Sequence, residues 1–197
     1  MRRVPAQIAA RLPAAAELFA ERGLENTKVE DVATATGVPK ATLYYYFAGK
    51  EEILAFLLQD TLQQMADEVA IAVQAPDSAA NRLAAVVQAQ LRVMGDQPAV
   101  CRALMENLGH AGRMPEIAGA VNDAYYTPVQ ELLDEGVRDG SLRATEDPAT
   151  TAMVLFGAVT MSALAYLATG RPLSPEGLSP SILTVVLDGL RPAGSAT

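Results

Sequence analysis

Apolar side chains recur three and four residues apart along nearly the whole chain, the spacing that puts them on one face of an α-helix. Strand-like β-branched alternation is confined to residues 26–30 and a few later spots. The first such stretch covers 5–22, where Ile8, Leu12, Ala15, Ala16 and Phe19 share a face and Gly23 ends the run. Pro13 interrupts it, so a kink or a later start is expected there. Thr27-Lys28-Val29-Glu30 has the form of a capping box that opens a second helix, with Val29, Val32 and Ala33 facing inward. Gly37 then permits the left-handed backbone of a sharp turn, Val38 plugs the angle, and Pro39 stands at the first position of a third helix, 39–46. A fourth helix at 50–75, stopped by Pro76, carries Ile53, Leu54, Leu57, Leu58, Leu62 and Met65 along one side. At 1.5 Å per residue it spans roughly 40 Å and would serve as either a lever or a plain connector.

Beyond it, prolines and small polar residues punctuate each helix start. Asp77 or Ser78 opens a helix to Met94, with Gly95 as its stop; Asp96 and Pro98 open one to about Leu108; and Pro115 opens one that Gly140 closes. Pro128 falls inside this last helix and predicts a bend that frees the Ala124 carbonyl. Two final helices are expected at 148–169, capped by Asp147, and at 181–190, capped by Ser179 with Pro180 in its first turn. The reading is all-α, with about nine helices. In the last pair, Met153, Phe156, Gly157, Thr160 and Leu164 form one stripe, while Val154, Ala158, Met161 and Ala165 form another. Helices apolar nearly all round need cover on both sides. A second copy of the chain supplies the outer cover, which predicts a homodimer joined through Val154, Ala158, Met161, Ile182, Val185, Val186 and Gly189. The apolar run at 152–168 falls short of the roughly 20 residues a bilayer span needs, so no membrane association is expected.

Composition changes this picture only when the chain is divided. Of 197 residues half are hydrophobic, and the net charge is −8. Residues 1–50 hold seven basic side chains (Arg2, Arg3, Arg11, Arg22, Lys28, Lys40, Lys50) and five acidic ones (Glu17, Glu21, Glu25, Glu30, Asp31), hence +2, leaving −10 for the rest. An acidic body would turn this basic end toward nucleic acid, with Arg2 and Arg3 as either a basic arm or a solubilising tail. A single cysteine, Cys101, excludes an internal disulfide and suits the cytoplasm, as does the lack of a signal-peptide pattern. One histidine, His110, and no nucleophile or phosphate-loop motif argue against an enzyme; neither a metal nor another cofactor is expected.

The candidate chemistry lies at 27–50, TKVEDVATATGVPKATLYYYFAGK. Leu43 faces the core with Tyr46 or Phe47 beside it, which leaves Ala41, Thr42 and Tyr45 on the opposite side and Lys40 and Tyr44 at the flanks. Thr42 can meet a base edge or a thymine methyl, Ala41 allows close approach, and tyrosine hydroxyls suit phosphate oxygens. Lys28 and Lys50 stand at helix starts, where phosphates bind. Against this, the tyrosines could instead pack the head against the body, most readily Tyr46. The stretch GVPKATLYYYFAGKEEIL resembles the signature of the TetR family of bacterial transcriptional regulators, and the resemblance covers residues 9–54. It implies a DNA-binding head at 1–49, a ligand-binding and dimerisation body at 50–197, and contacts to double-stranded DNA at Thr27, Lys28, Lys40, Ala41, Thr42, Tyr44, Tyr45 and Lys50. Pro39, Ala41 and Ala48-Gly49 depart from the residues common in that signature.

In the body, paired tyrosines beside a proline bend suggest either a ligand pocket or core aromatics with bonded hydroxyls. Leu62, Met65, Met105, Asn122, Tyr125, Tyr126 and Phe156 are the candidate ligand contacts, and a small, largely apolar effector fits their chemistry. The functional expectation is a repressor that binds a palindromic operator as a homodimer and is released by that effector. A helical binding protein with no sequence-specific DNA contact is the rival.

Overall fold

The computed structural model describes residues 3–106, 115–171 and 173–188, and the described residues are helical with no strand. Expectations placed on Arg2, Leu108, His110, Gly189 and position 190 lie outside them. The chain forms two compact units, Met1–Thr61 with Gln97–Ala118, and Leu62–Asp96 with Gly119–Thr197.

The first unit contains α1 (Ala6–Ala9), α2 (Pro13–Asn26), α3 (Val29–Thr36), α4 (Lys40–Tyr46), the beginning of α5 (Lys50–Val73), and α7 (Pro98–Glu106). The stretch at 5–22 resolves into two helices because Pro13 takes the first turn of α2, where its missing N–H costs nothing. Gly23 adopts φ 73° and breaks the helical run three residues before Asn26. Leu12, Ala15, Ala16 and Phe19 are fully buried, and Val32, Leu43, Phe47, Ile53 and Leu54 close over them. Each such large side chain contributes roughly 1.5–3 kcal/mol by leaving water.

The compact unit is larger than the expected head at 1–49. Ile53, Leu54, Leu57 and Leu58 of α5 belong to its core, and α7 lays Val100 and Ala103 into the same cluster. Arg102 of α7 also pairs with Glu17 of α2 at 2.8 Å. Four short helices expose too much apolar surface to bury alone, and helical periodicity carries no information about which distant segment covers it.

In the second unit α6 (Ala79–Asp96) is central, packed by α9 (Thr127–Asp139), α10 (Pro148–Ala168) and α11 (Pro175–Asp188). Leu83, Val86, Val87, Ala89, Leu91 and Val93 of α6 are buried around more than one face. This helix runs through Gly95 instead of stopping there. A Cβ at Gly95 would stand 3.0 Å from the Leu173 carbonyl oxygen, so glycine serves close packing at this position. The N-terminus of α6 receives help from the end of α9 and the turn after it: Ala79 N–H donates to Asp139 Oδ2 at 2.9 Å and Ala80 N–H to Ser141 Oγ at 3.1 Å.

Pro128 acts through a change of helix type. Between α8 (Pro115–Val121) and α9, residues Asn122–Tyr126 form a π-helical segment, and Thr127 N–H bonds to the Asn122 carbonyl five residues back. Asp147 caps α10 as expected, accepting from Ala149 and Thr150 N–H at 3.1 and 3.2 Å. Two expectations for the last helices need correction. At 21 residues, α10 is long and apolar enough to cross a bilayer by length and composition, because it starts at Pro148, ahead of the apolar run. And α11 begins at Pro175, placing Pro180 within it and Ser179 in the core at 5% exposure; Ser174 bonds the first turn through Gly177 N–H.

Candidate functional site

The turn between α3 and α4 fixes the candidate nucleic-acid surface. Gly37 has φ 63°, in the left-handed region, and Val38 behind it is buried, with its N–H donating to Thr36 Oγ1 at 3.2 Å. The Arg11 guanidinium lies over Gly37, so a Cβ there would stand 2.3 Å from its Nη2. Pro39 is the cap of α4 and Lys40 its first helical residue, so the proline stands one position outside the helix it was expected to open. Leu43 and Phe47 are buried, Tyr46 is half-buried, and Lys40, Ala41, Tyr44 and Tyr45 are exposed, the last two at 50% and 59%. Thr42 is half-buried beside them. Tyr45 meets Tyr46 edge-on at 4.9 Å, which steadies the outer ring on the inner one.

Two charges on this surface are already engaged. Lys40 Nζ forms an ion pair with Glu30 Oε1 and lies 5.7 Å from the centre of the Tyr44 ring. The hydrogen bond to Glu30 raises the Lys40 ammonium above its ordinary value, and the same bond holds the Glu30 carboxyl below its own. Lys50 Nζ donates to the Glu25 carbonyl at 3.0 Å. Glu30 was not among the residues expected to act here, although its position ten residues before Lys40 on the adjoining helix placed it within reach.

Thr27 departs from expectation. It is 1% exposed, and its hydroxyl donates to the Gly23 carbonyl at 2.8 Å, so its side chain is not offered to DNA. The Thr27–Glu30 capping box is also displaced by one residue: Lys28 is the cap of α3 and its N–H donates to Asp31 Oδ2 at 3.0 Å. The hydroxyl finds a carbonyl at the end of the preceding helix, which leaves the carboxylate of Asp31 to satisfy the exposed donor. Lys28 itself is exposed.

The candidate ligand residues divide between the units. Met105 belongs to the first, and the other six to the second. Met65 and Tyr125 lie in the core of the second unit, with Tyr126 and Phe156 half-buried against it. The three rings make an edge-on trio: Tyr125 and Phe156 are 5.0 Å apart, Tyr126 and Phe156 5.5 Å, and the two tyrosines 6.4 Å. Burial raises both tyrosine hydroxyls above their ordinary value. Leu62 is half-buried, whereas Asn122 is exposed and donates to Asp123 and Thr127 side chains, so it does not join the aromatic trio. Gln90 of α6 was missed: it is fully buried, and Nε2 donates to the Phe156 carbonyl at 3.2 Å and to Thr160 Oγ1 at 2.8 Å. Its position, three and four residues after Val87 and Val86, marked it as facing inward. Cys101 is buried, which pushes its thiol up to about 12 and makes it a packing residue at neutral pH. Among the described residues, no group of three or more histidine, cysteine or acidic side chains is placed to hold a metal ion.

On the outer side of the last two helices, Val154, Met161 and Val185 are 62%, 55% and 79% exposed. Ala158 and Val186 are half-buried, and Ile182 is covered within its own subunit at 8% exposure. Ala158, Ser162, Ile182, Val185 and Val186 line an open groove of about 280 Å³.

Residues 12–56 match the family described as bacterial regulatory proteins, tetR family, and residues 76–190 match the tetracyclin repressor-like C-terminal domain. The chain is 22% identical over 180 residues to the fatty acid metabolism regulator protein of Bacillus subtilis, covering 91% of this chain and 93% of that protein. It is 27% identical over 192 residues to the HTH-type transcriptional repressor KstR2 of Mycolicibacterium smegmatis, covering 94% and 93%. Its fold matches the solved structure of the transcriptional regulator FadR from Bacillus subtilis in complex with stearoyl-CoA, with a TM-score of 0.75 at 22% identity over 92% of this chain and 98% of that one.

Proposed function

This chain belongs to the TetR family of bacterial regulatory proteins and is a ligand-responsive, DNA-binding transcriptional regulator, and we propose that it is a cytoplasmic repressor that binds an inverted-repeat operator as a homodimer and is released by an apolar effector. The observation that carries the DNA-contact assignment is the outer face of α4, where Lys40, Ala41, Tyr44 and Tyr45 are exposed in one row while Leu43 anchors the opposite side. Cations and phenolic hydroxyls meet phosphates, and the small Ala41 with the Thr42 hydroxyl and methyl reads base edges in the major groove. Lys28 and Lys50 add phosphate contacts at the borders of this surface.

Two copies are required because one seven-residue helix with few cations gives little affinity by itself. The exposed apolar side chains Val154, Met161 and Val185, with the groove beside them, support pairing through α10 and α11. Two heads held about one helical turn apart, roughly 34 Å, call for a palindromic operator. The effector acts by binding more tightly to a state in which the heads no longer match that spacing. Helix α5 belongs to both units, which supports its role as the element that links ligand to DNA. The apolar cluster around Met65, Tyr125, Tyr126 and Phe156 supports an effector with a large hydrocarbon part, and one related regulator was solved with stearoyl-CoA.

The test is a footprint of the chain on its own promoter region, with Thr42→Ala and Tyr44→Phe alongside. The wild type should protect two half-sites related by a dyad. Each variant should lose about tenfold in affinity while keeping its melting temperature and effector binding, since a lost base or phosphate contact costs about 1–3 kcal/mol. Protection of a single patch without symmetry refutes the dimeric reading, and wild-type affinity in both variants refutes the assignment of α4.

A further inference from the structure

Two polar side chains in the second unit are wholly buried with hydrogen bonding left incomplete. Tyr125 and Gln90 are each 0% exposed, and neither the Tyr125 hydroxyl nor Gln90 Oε1 has a partner. Burying such atoms unpaired is costly, and folded cores hold few of them. Both flank the same residue. The Tyr125 ring packs edge-on against Phe156 at 5.0 Å, and Gln90 Nε2 donates to the Phe156 carbonyl and the Thr160 hydroxyl. Those two bonds fix the amide, because a flipped amide would turn its oxygen onto the carbonyl oxygen of Phe156. Gln90 Oε1 is therefore an acceptor in need of a donor, whereas the Tyr125 hydroxyl can donate or accept. Tyr125 also sits in the π-helical segment, a distortion found often at functional sites.

We propose that Gln90 and Tyr125 form the polar end of the effector site, and that the effector is an uncharged, largely apolar molecule with at least one hydroxyl, which donates to Gln90 Oε1 while an oxygen of the same molecule accepts from Tyr125 Oη. This rests on the ligand-responsive reading of the second unit and adds the chemical class. Phe156, Tyr126 and Met65 supply the apolar contact. A carboxylate brings no hydrogen for Gln90 and would strand its charge against a carbonyl-type oxygen. An ether or ester alone satisfies Tyr125 and leaves Gln90 unpaired.

The experiment is titration calorimetry of the full chain with the vicinal diol of decane, its dimethyl ether, and decanoate, repeated on Tyr125→Phe and Gln90→Leu. The wild type should bind the diol about tenfold more tightly than the ether or decanoate, the difference expected when a buried acceptor gains its donor. Gln90→Leu should abolish the preference for diol over ether, and Tyr125→Phe should weaken both. Tyr125→Phe removes only an unpartnered hydroxyl, so its ligand-free melting temperature should hold or rise, which keeps the test valid should Gln90→Leu unfold. No measurable diol binding to the wild type, equal binding of decanoate, or wild-type binding in Tyr125→Phe overturns the proposal. Operator release by decanoate that is insensitive to both substitutions overturns this site and leaves the effector response standing. Diol binding that depends on both residues but leaves DNA affinity unchanged supports the site and overturns its role as the effector site.

Discussion

Gly37→Ala tests the turn that aims α4, and its cost has two separable parts. The backbone at Gly37 has φ 63° and ψ 16°, a conformation that costs an L-residue such as alanine roughly 1–2 kcal/mol. The new methyl would also stand 2.3 Å from Arg11 Nη2. Arg11 is exposed, and its guanidinium ends a flexible chain, so moving it should stay within the roughly 0.5 kcal/mol typical of surface changes. The backbone term wins, and the total is about 1–2 kcal/mol. For a chain of this size that lowers the melting temperature by roughly 2–8 °C. Thermal and urea melts of Gly37→Ala, Gly37→Asn and the double variant Arg11→Ala/Gly37→Ala separate the parts. Asparagine visits the left-handed region more readily, so Gly37→Asn should fall between the wild type and Gly37→Ala. The double variant should stay close to Gly37→Ala when each is compared with its own glycine parent. Full rescue by Arg11→Ala would show that the contact, and not the backbone, sets the cost; an unchanged Gly37→Ala would refute both.

Glu30→Gln should strengthen DNA binding at low salt without moving the melting temperature, because it releases Lys40 and removes a negative charge from the surface offered to phosphates; the gain should shrink as salt rises, and weaker binding at low salt would count against the placement of Lys40. Asp147→Ala should lower the melting temperature at neutral pH. Hydrogen bonds from the Thr150 hydroxyl and the Thr150 and Ala149 N–H groups hold the Asp147 carboxyl below its ordinary value; its stabilisation is therefore present above the unfolded carboxyl's range and lost as pH falls through the lowered folded value. Melts across that range should show the variant's deficit vanish in acid, and a deficit independent of pH would refute the cap. Val154→Asp and Val185→Asp, at exposed positions of α10 and α11, should convert the sedimenting species from dimer to monomer while preserving helicity; a dimer that survives both substitutions places the interface elsewhere.

Which side chains of α4 are exposed was largely legible in the sequence because it depends on short-range rules. Gly37, Val38 and Leu43 lie within seven residues, and a left-handed turn followed by a helical period decides which of the adjoining side chains face outward. Thr27 escaped because a hydroxyl has two carbonyl and amide environments within reach, and the sequence does not say which one it takes; burial against Gly23 decided it. Gly95 escaped for a related reason. Glycine is a helix stop in isolation, and α6 does end one residue later at Asp96, but the position also leaves room for the Leu173 carbonyl. At Pro128 the missing N–H was readable, while the π-helical segment Asn122–Tyr126 just before it was not.

By itself the sequence determined the helical class, the helix-turn-helix motif, the polarity of α4 and the cap of α10, since each follows from residues a turn or two apart. Tertiary structure alone decided that α7 belongs with α2 in the first unit, that Ile182 is covered within its own chain, that Glu30 holds Lys40, and that Gln90 and Tyr125 are buried around Phe156 with bonds unmade. These depend on which surfaces meet across long sequence separations. Helical periodicity reveals that a side chain needs cover, and only the packed chain specifies what covers it and which polar atoms are buried with bonds unmade.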